Sequence, residues 1–358
     1  MIILERIAEA IGVSRVNDIS RFDLLPLFVY QTCRPSAHHL CIDSGKNKCK
    51  KTAKIVALME AIERYAAENI SNPSCFVQPD AIELDLVGQS YSHYSDDFPI
   101  KCFTGFNIIS GDPLYIPSDL IHYSLSNPSR LIHVFPSGTT GLGAHFNLDM
   151  AICSGLVEII ERDAIVNNDF QTIDPSSLSG ATKVKLDLVC SKVGKYTIRV
   201  YKTPWPVYVF SVIGEDSSVN GGMIGFGLGF TAEDGLNDAL DEAFQTWLMR
   251  ISAARDDWAF SNLPIFNIDV DTPKTSFQKL DVSANSFVDL SIASTKLHEV
   301  NYNKLLNFAS TSNINIYAVS IVTPTPISPV KVVKVIVPSS KQLRQGPMLT
   351  GFPILKKT

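Results

Sequence analysis

Two stretches, LMEAIERYAAENI at 58–70 and LVEIIERDAIVNN at 156–168, share the core Glu-x-Ile-Glu-Arg. Residues three and four apart lie on one face of an α-helix, with Cβ atoms about 5–6 Å apart. Each stretch, as a helix, therefore presents two carboxylates and one guanidinium in a compact patch. The patches consist of Glu60, Glu63 and Arg64 in the first stretch and Glu158, Glu161 and Arg162 in the second.

A single motif of this kind is commonly a surface ion pair that contributes about 0.3–0.5 kcal/mol. Three features favour a functional cluster instead. Apolar residues flank both copies, the pattern occurs twice, and a segment rich in Gly, Ser and Thr precedes each copy, SGK at 44–46 and SGTTGLG at 137–143. We expect these two segments to be loops. A weaker echo, EAFQ at 242–245, has an amide in place of the second carboxylate.

The composition of the 358-residue chain sets broad limits on its class. Hydrophobic residues make up 45% and the formal charge is -5, so we expect a large core and neither a nucleic-acid nor a membrane partner. The seven cysteines include no C-x-x-C pair, which favours mostly buried, reduced thiols in the cytoplasm. Cys153, near His145, is interpreted as such a thiol rather than as a nucleophile.

Hydrophobic periodicity and β-branched runs predict a mixed α/β or α+β fold with helices packed on sheets. The predicted helices cover 2–12, 52–70, 148–166, 233–254 and 293–309. The predicted strands cover 27–32, 39–43, 197–202, 207–213, 314–322 and 330–337. Residues 75–135 are predicted to be irregular with short strands, and the glycine-dense 221–229 to be strand-turn glycines. Since the two motifs are too far apart for a solenoid repeat, they indicate two related half-units around one central site.

Clustered oxygen ligands on helices suit Mg²⁺, which is commonly shared between carboxylates and substrate phosphates. Backbone amides of the Gly/Thr segment at 137–143 and nearby basic side chains could meet phosphate oxygens. The sequence lacks both a Walker-type motif and a dinucleotide fingerprint. The residues therefore predict a magnesium–polyphosphate site built on helices.

Several motifs occur together in one order along the chain. They are TCRPSA at 32–37, SGK leading to ALMEAIERY at 57–65, PLYIP at 113–117, TGLGA at 140–144 leading to GLVEIIERDA at 155–164, and ALDEAFQ at 239–245. With these motifs the chain resembles the YcaO family over nearly its whole length. The resemblance implies a single YcaO-type domain over 1–358, with an N-terminal helical segment at 1–20 and a proline-containing C-terminal segment at 323–358.

The resemblance implies an ATP- and Mg²⁺-dependent enzyme that modifies backbone amides of a ribosomally made peptide. ATP phosphorylates the amide oxygen after a nucleophile attacks the carbonyl carbon. A Cys, Ser or Thr side chain of the substrate then gives an azoline, the precursor of a thiazole or oxazole, whereas external sulfide gives a thioamide and an amine gives an amidine. No catalytic residue is assigned.

The same resemblance implies roles for ten side chains. Magnesium ligands are Glu60, Glu63 and Glu161. Residues around ATP are Ser44, Lys46, Arg64, Glu158, Arg162, Glu242 and Gln245. The implied partners are a ribosomal precursor peptide and a separate leader-recognition or partner protein, because only the short segment 1–20 precedes the family's core. A homodimer is left open.

Five residues depart from the family's motifs: Asn47 stands in place of a glycine, and four residues replace polar or charged groups, namely Val56, Phe146, Met150 and Trp247. They leave a second hypothesis open, in which a degenerate homologue binds a peptide or partner subunit without ATP turnover. A third hypothesis is a different metal-dependent enzyme on the same scaffold.

Overall fold

A computed structural model describes residues 1–82, 99–123, 135, 138–215, 223–253, 274–276 and 293–340. The helices in these ranges are α1 Ile2–Ala10, α2 Lys50–Glu68, α3 Ser118–Ile121, α4 Leu148–Asn167, α5 Gly180–Lys192, α6 Ala232–Ser252 and α7 Ala293–Thr311. The first seven strands are β1 Arg15–Asp18, β2 Phe28–Cys33, β3 Ile42–Asn47, β4 Ser74–Val77, β5 Ile100–Asn107, β6 Pro113–Pro117 and β7 Leu142–His145. The later strands are β8 Phe170–Asp174, β9 Lys195–Tyr201, β10 Tyr208–Glu215, β11 Met223–Gly229, β12 Lys274–Ser276, β13 Tyr317–Ser320 and β14 Lys331–Ile336.

The strands form three sheets. A three-stranded sheet has the order β1-β2-β3, and a five-stranded sheet has the order β11-β10-β9-β8-β12. The six-stranded sheet runs β4-β5-β13-β14-β7, with β6 paired to β5. This arrangement of helices on sheets confirms the predicted mixed α/β class.

The six-stranded sheet is buried on both faces. On one face, Val332 and Ile336 of β14 pack in a cluster with Leu58 and Ile62 of α2. On the other face, β14 joins a second cluster that includes residues of α4 and α7, listed here as Val333, Val335, Leu156, Ile160 and Leu305. Because strand side chains alternate between faces, β14 separates the two motif helices. A third cluster packs α5 and α6 on the five-stranded sheet.

Each of the three motif helices lies directly on the strand that precedes it. A Cβ atom on Gly45 of β3 would overlap the backbone of Ala57, and one on Gly143 of β7 would overlap the backbone of Ala151. Gly225 of β11 approaches α6 in the same way. These glycines are needed because helix and strand backbones touch at these points. The strand-to-helix unit therefore occurs three times around the site.

The structure corrects several local predictions. The segment SGK is not a loop, since Ser44, Gly45 and Lys46 all lie in β3, paired with β2. The predicted strand over 39–43 begins only at Ile42. The helix predicted over 2–12 ends at Ala10. Strands β4, β5 and β6 agree with the short strands predicted over 75–135, whereas β8 and α5 were missed.

Other predictions concern residues that the structure does not describe, the cysteines and the possibility of a membrane-spanning helix. The glycines at 221–222, the first residue of the segment 137–143 and the C-terminal segment from 341 onward lie outside the described residues. All seven cysteines are free, as expected. Only Cys102 and Cys153 are buried, so the prediction of mostly buried thiols was wrong. None of the described helices is long and apolar enough to cross a bilayer.

Candidate functional site: an acidic cluster between three helices

The first glutamate of each motif is bound by the arginine four residues later. Arg64 lies 2.9 Å from the Glu60 carboxylate, and Arg162 lies 2.5 Å from that of Glu158. Both pairs have the i,i+4 spacing of one helical turn. The motif therefore ties its first carboxylate to its own helix.

The second glutamate of each motif is left without such a partner. Within the described residues, neither Glu63 nor Glu161 makes a hydrogen bond or an ion pair. Burial raises the pKa of Glu63 well above its usual range, and the charges of Glu60 and Glu158 raise it further. Burial likewise raises the pKa of Glu161, with added repulsion from Glu242. The positive charges of Arg64 and Lys334 near Glu63, and of Arg162 near Glu161, oppose these increases in pKa but do not outweigh the burial.

These electrostatic effects place the motif helices at one site. Glu63 on α2 is affected by Glu158 on α4, and Glu161 on α4 is affected by Glu242 and Asp238 on α6. We call the carboxylates of Glu60, Glu63, Glu158, Glu161, Asp238 and Glu242 the acidic cluster. These electrostatic interactions agree with the expectation that distant helices bring their carboxylates together.

The third helix reaches this cluster through β3. Lys46 lies 2.9 Å from Asp238 and 3.8 Å from Glu242. Burial alone would lower the pKa of Lys46, but these carboxylates outweigh it and raise that pKa. Gln245 donates to the Ser44 hydroxyl at 2.8 Å. The structure thus brings together the four residues that the resemblance assigned to ATP on β3 and α6.

The segment before α4 is organised by the second motif. The Gly141 N–H donates to the Glu158 carboxylate at 2.9 Å, and Arg162 donates to the Thr140 hydroxyl at 2.7 Å. The Leu142 N–H donates to the Thr139 carbonyl oxygen. The amides of Gly141 and Leu142, which were expected to be free for phosphate, are therefore engaged within the protein.

The four departures that replace polar or charged groups of the family's motifs lie in different surroundings. Val56, one turn before Glu60 on α2, and Phe146, just before α4, are both partly exposed. Met150 is buried in the core on α4, and its N–H is capped by Asn147. The Trp247 indole donates to the Asp23 carboxylate at 2.9 Å, so this side chain is held by the segment between β1 and β2.

Sequence reasoning missed three charged residues at the site. Asp43 lies 3.1 Å from Arg64, with both carboxylate oxygens buried, and burial raises its pKa to about 7. Asp238 holds Lys46, as described above. Lys334 is buried on β14, and burial lowers its pKa to about 8 despite the opposing charge of Glu158. The only signal for Lys334 is a lysine at an inward position of a valine-rich strand.

Other candidate groups are less suited to chemistry. Cys153 is buried in the core cluster around α4, and burial raises its pKa to about 11. Because the thiolate is the nucleophilic form, this thiol is inert near neutral pH. The interpretation of Cys153 as a structural thiol is therefore supported.

The fold and the acidic cluster define an α+β protein with a site suited to a metal-bound polyphosphate. The family model described as YcaO cyclodehydratase, ATP- and Mg²⁺-binding, matches residues 44–341. The chain therefore belongs to the YcaO cyclodehydratase family, which confirms the resemblance and the expected cofactors, ATP and Mg²⁺. The individual roles given to the ten site residues remain predictions.

One curated relative is an uncharacterized protein of Methanothermobacter thermautotrophicus. It is 29% identical over 159 residues, which are 43% of this chain and 42% of that protein. The chain thus spans less than half the length of this relative.

Solved structures share the fold at low sequence identity. The YcaO of Methanopyrus kandleri, bound with AMPPCP and Mg²⁺, has a TM-score of 0.68 at 20% identity, over 94% of this chain and 88% of that one. The E. coli microcin synthetase McbBCD complex with pro-MccB17 bound has a TM-score of 0.65 at 15% identity, over 90% and 87%. These likenesses concern the fold.

The chemistry of the acidic cluster fits a magnesium ion. Its groups are carboxylates, the ligand type that Mg²⁺ prefers, and two of them have no ion pair or hydrogen bond to any other residue that the structure describes. No three His, Cys, Asp or Glu side chains in the described ranges are close enough to enclose an ion by themselves. Mg²⁺ commonly keeps waters and takes phosphate oxygens as further ligands, so an open cluster is suitable for a metal that arrives with nucleotide.

Proposed function

We propose that the protein uses ATP and Mg²⁺ to activate a backbone amide of a ribosomally made peptide for attack by a nucleophile. The observation that carries this proposal is the pair of unpartnered carboxylates, Glu63 and Glu161, which border one cluster from two helices. A degenerate site would have no need for two partly buried acids that are unpaired within the described residues, because each costs stability.

The charge balance of the site supports a metal-bound nucleotide. Carboxylates outnumber the nearby basic groups, and Lys46, Arg64 and Arg162 are each already close to a carboxylate. A bare triphosphate would therefore be repelled. Divalent cations remove this repulsion by binding carboxylate and phosphate oxygens together.

The reaction balances with simple groups. The nucleophile adds to the amide carbon, the γ-phosphoryl group passes to the amide oxygen, and that oxygen then leaves as phosphate. Magnesium supplies charge neutralisation when it is bound. In this proposal, Glu63 and Glu161 hold the metal with Glu60, while Ser44, Lys46 and Gln245 orient the nucleotide. Arg64, Glu158, Arg162 and Glu242 surround the phosphates.

The peptide and its delivery are part of the same proposal. The McbBCD structure holds pro-MccB17 within a complex of several subunits. By analogy, we infer a precursor peptide as substrate and a partner protein that presents it in the cytoplasm. Azoline formation, thioamidation and amidine formation differ in the nucleophile, and product mass distinguishes them. Loss of one water indicates an azoline, whereas exchange of oxygen for sulfur indicates a thioamide.

The degenerate hypothesis is favoured by the partly exposed apolar side chains of Val56 and Phe146. Calorimetry with MgATP separates the two hypotheses. We expect binding at millimolar nucleotide that disappears in E63Q. The double variant V56S and F146N, which restores the polar groups of the family's motifs, should bind at least as tightly as the natural chain. If the natural chain gives no heat and the double variant does, the degenerate hypothesis is correct.

A further inference from the structure

Lys334 places a positive charge in the apolar centre of the six-stranded sheet. Its neighbours on the same face of β14, Val332 and Ile336, belong to the core cluster of α2. The side chain is 3% exposed. A buried ammonium costs several kcal/mol unless nearby charges offset the lost hydration. A lysine at this position therefore needs a specific electrostatic reason.

The surroundings of Lys334 supply that reason. Its Nζ donates to the Gly138 carbonyl oxygen, in the segment before β7. The charged groups that affect it are Glu158, Arg162 and Glu63, which come from both motif helices. It forms no ion pair with any carboxylate in the described ranges. The ammonium thus binds the Gly138 carbonyl oxygen and lies within electrostatic range of Glu158 and Glu63, without an ion pair to either in the described residues.

We propose that Lys334 is a fixed cation of the acidic cluster, which keeps free divalent ions out and restricts metal binding to the ion that arrives with nucleotide. Like charges repel strongly at short range in a partly buried site, because the effective dielectric constant is low. The Lys334 charge therefore weakens the binding of a divalent ion beside Glu63 and Glu158. Bound phosphates, being negative, offset that repulsion.

The inference rests on the proposed magnesium site and adds a property to it. Without nucleotide, the lysine partly balances the unpaired carboxylates, so the protein folds without metal. With nucleotide, the phosphate charge compensates both the lysine and the metal. Metal loading and nucleotide binding are in this way coupled through one side chain.

The test measures Mn²⁺ binding without nucleotide, by the electron paramagnetic resonance signal of the free ion. The variants are K334M, K334Q and, as a control on the same strand, K331M, since Lys331 is exposed. The glutamine can still donate to Gly138 but carries no charge. We expect the Mn²⁺ dissociation constant to fall at least tenfold in K334M and K334Q and to stay unchanged in K331M.

A second measurement does not depend on activity. The melting temperature of K334M and K334Q should be lower than that of the natural chain without divalent ions and should rise more on adding MgCl₂, because the metal replaces the missing charge. Equal Mn²⁺ affinity in the natural chain and both Lys334 variants overturns the inference. So does a loss of MgATP affinity alone, which would make Lys334 a phosphate ligand.

Failure of the lysine inference is distinguishable from failure of the proposed function. If the natural chain binds Mn²⁺ together with ATP but the Lys334 variants leave free Mn²⁺ binding unchanged, only the inference is wrong. If the natural chain binds neither Mn²⁺ nor Mn²⁺ with ATP, the magnesium site itself is wrong.

Discussion

The helices α2 and α4 carry the same sequence motif, but the arginines of the two copies make different contacts. In α2, Arg64 contacts both Glu60 and Asp43, and its side chain is 16% exposed. In α4, Arg162 contacts Glu158 and a neutral hydroxyl, and its side chain is 39% exposed. The free second glutamate is the same in both. The comparison teaches that both copies of the motif leave their second carboxylate unpaired within the described residues, while the contacts of the arginine differ between them.

The largest expected effect tests the second glutamate of the motif, which is unpaired in both helices within the described residues. Changing Glu63→Gln or Glu161→Gln should each lower ATP-dependent turnover by about 100-fold or more, since metal charge stabilisation contributes several kcal/mol. Turnover is measured as phosphate release in the presence of the peptide and any partner it needs. Glu9→Gln, on the exposed side of α1, is the control. A large loss in only one helix would mean that the two helices are not equivalent.

The next effect concerns the motif arginines, whose replacement should change the free energy of unfolding by different amounts in the two helices. Arg64→Met should lower the free energy of unfolding by about 3 kcal/mol, because it leaves buried carboxylates without their cation. Arg162→Met should cost under about 1 kcal/mol, as is usual for a partly exposed ion pair. Urea denaturation at constant pH and ionic strength measures both. Equal losses would show that Asp43 adds nothing to the support of Arg64.

The last effect is a pH dependence at the contact of Asp43 with Arg64, where Arg162 of α4 instead contacts the Thr140 hydroxyl. The pKa of Asp43 is raised from 3.8 to about 7, so its protonated form is favoured in the folded protein. Its contribution to stability is therefore complete below about pH 4 and is lost as the pH rises to about 7, by at most ~1.4 kcal/mol per pH unit. Asp43→Asn should flatten this part of the unfolding curve.

The control for the pH experiment is Asp112→Asn, because Asp112 is exposed. Its profile should follow that of the natural chain. A profile for Asp43→Asn that is as steep as that of the natural chain would show that Asp43 does not titrate in this range.

Much of the helical framework could be predicted from periodicity. Helices were expected over 52–70, 148–166 and 233–254, and the structure has them at Lys50–Glu68, Leu148–Asn167 and Ala232–Ser252. Long amphipathic segments give the strongest signal because many residues share the same period. The grouping of the two motifs at one site followed from their repetition in apolar surroundings.

The rest depended on tertiary contacts. SGK looks like a loop because Gly and Ser favour turns, but Gly45 is in a strand where α2 leaves no room for a side chain. The orientation of the Trp247 side chain is fixed by its hydrogen bond to Asp23, which is distant in the sequence. Lys334 looks like an ordinary strand lysine until the two helices on either side of the sheet are known. The spacing of residues along the sequence does not reveal these tertiary contacts.

The contact between each glycine and its helix also limits how the protein can be altered. A single methyl group at Gly143 would act as a wedge between β7 and α4, and the helix would have to move outward. Glu158 and Glu161 would move with it, because they are rigidly attached to that helix. Small changes in backbone spacing far from any charged atom would therefore alter the distance between opposing carboxylates. The geometry of the site can thus be changed without replacing any of its ligands.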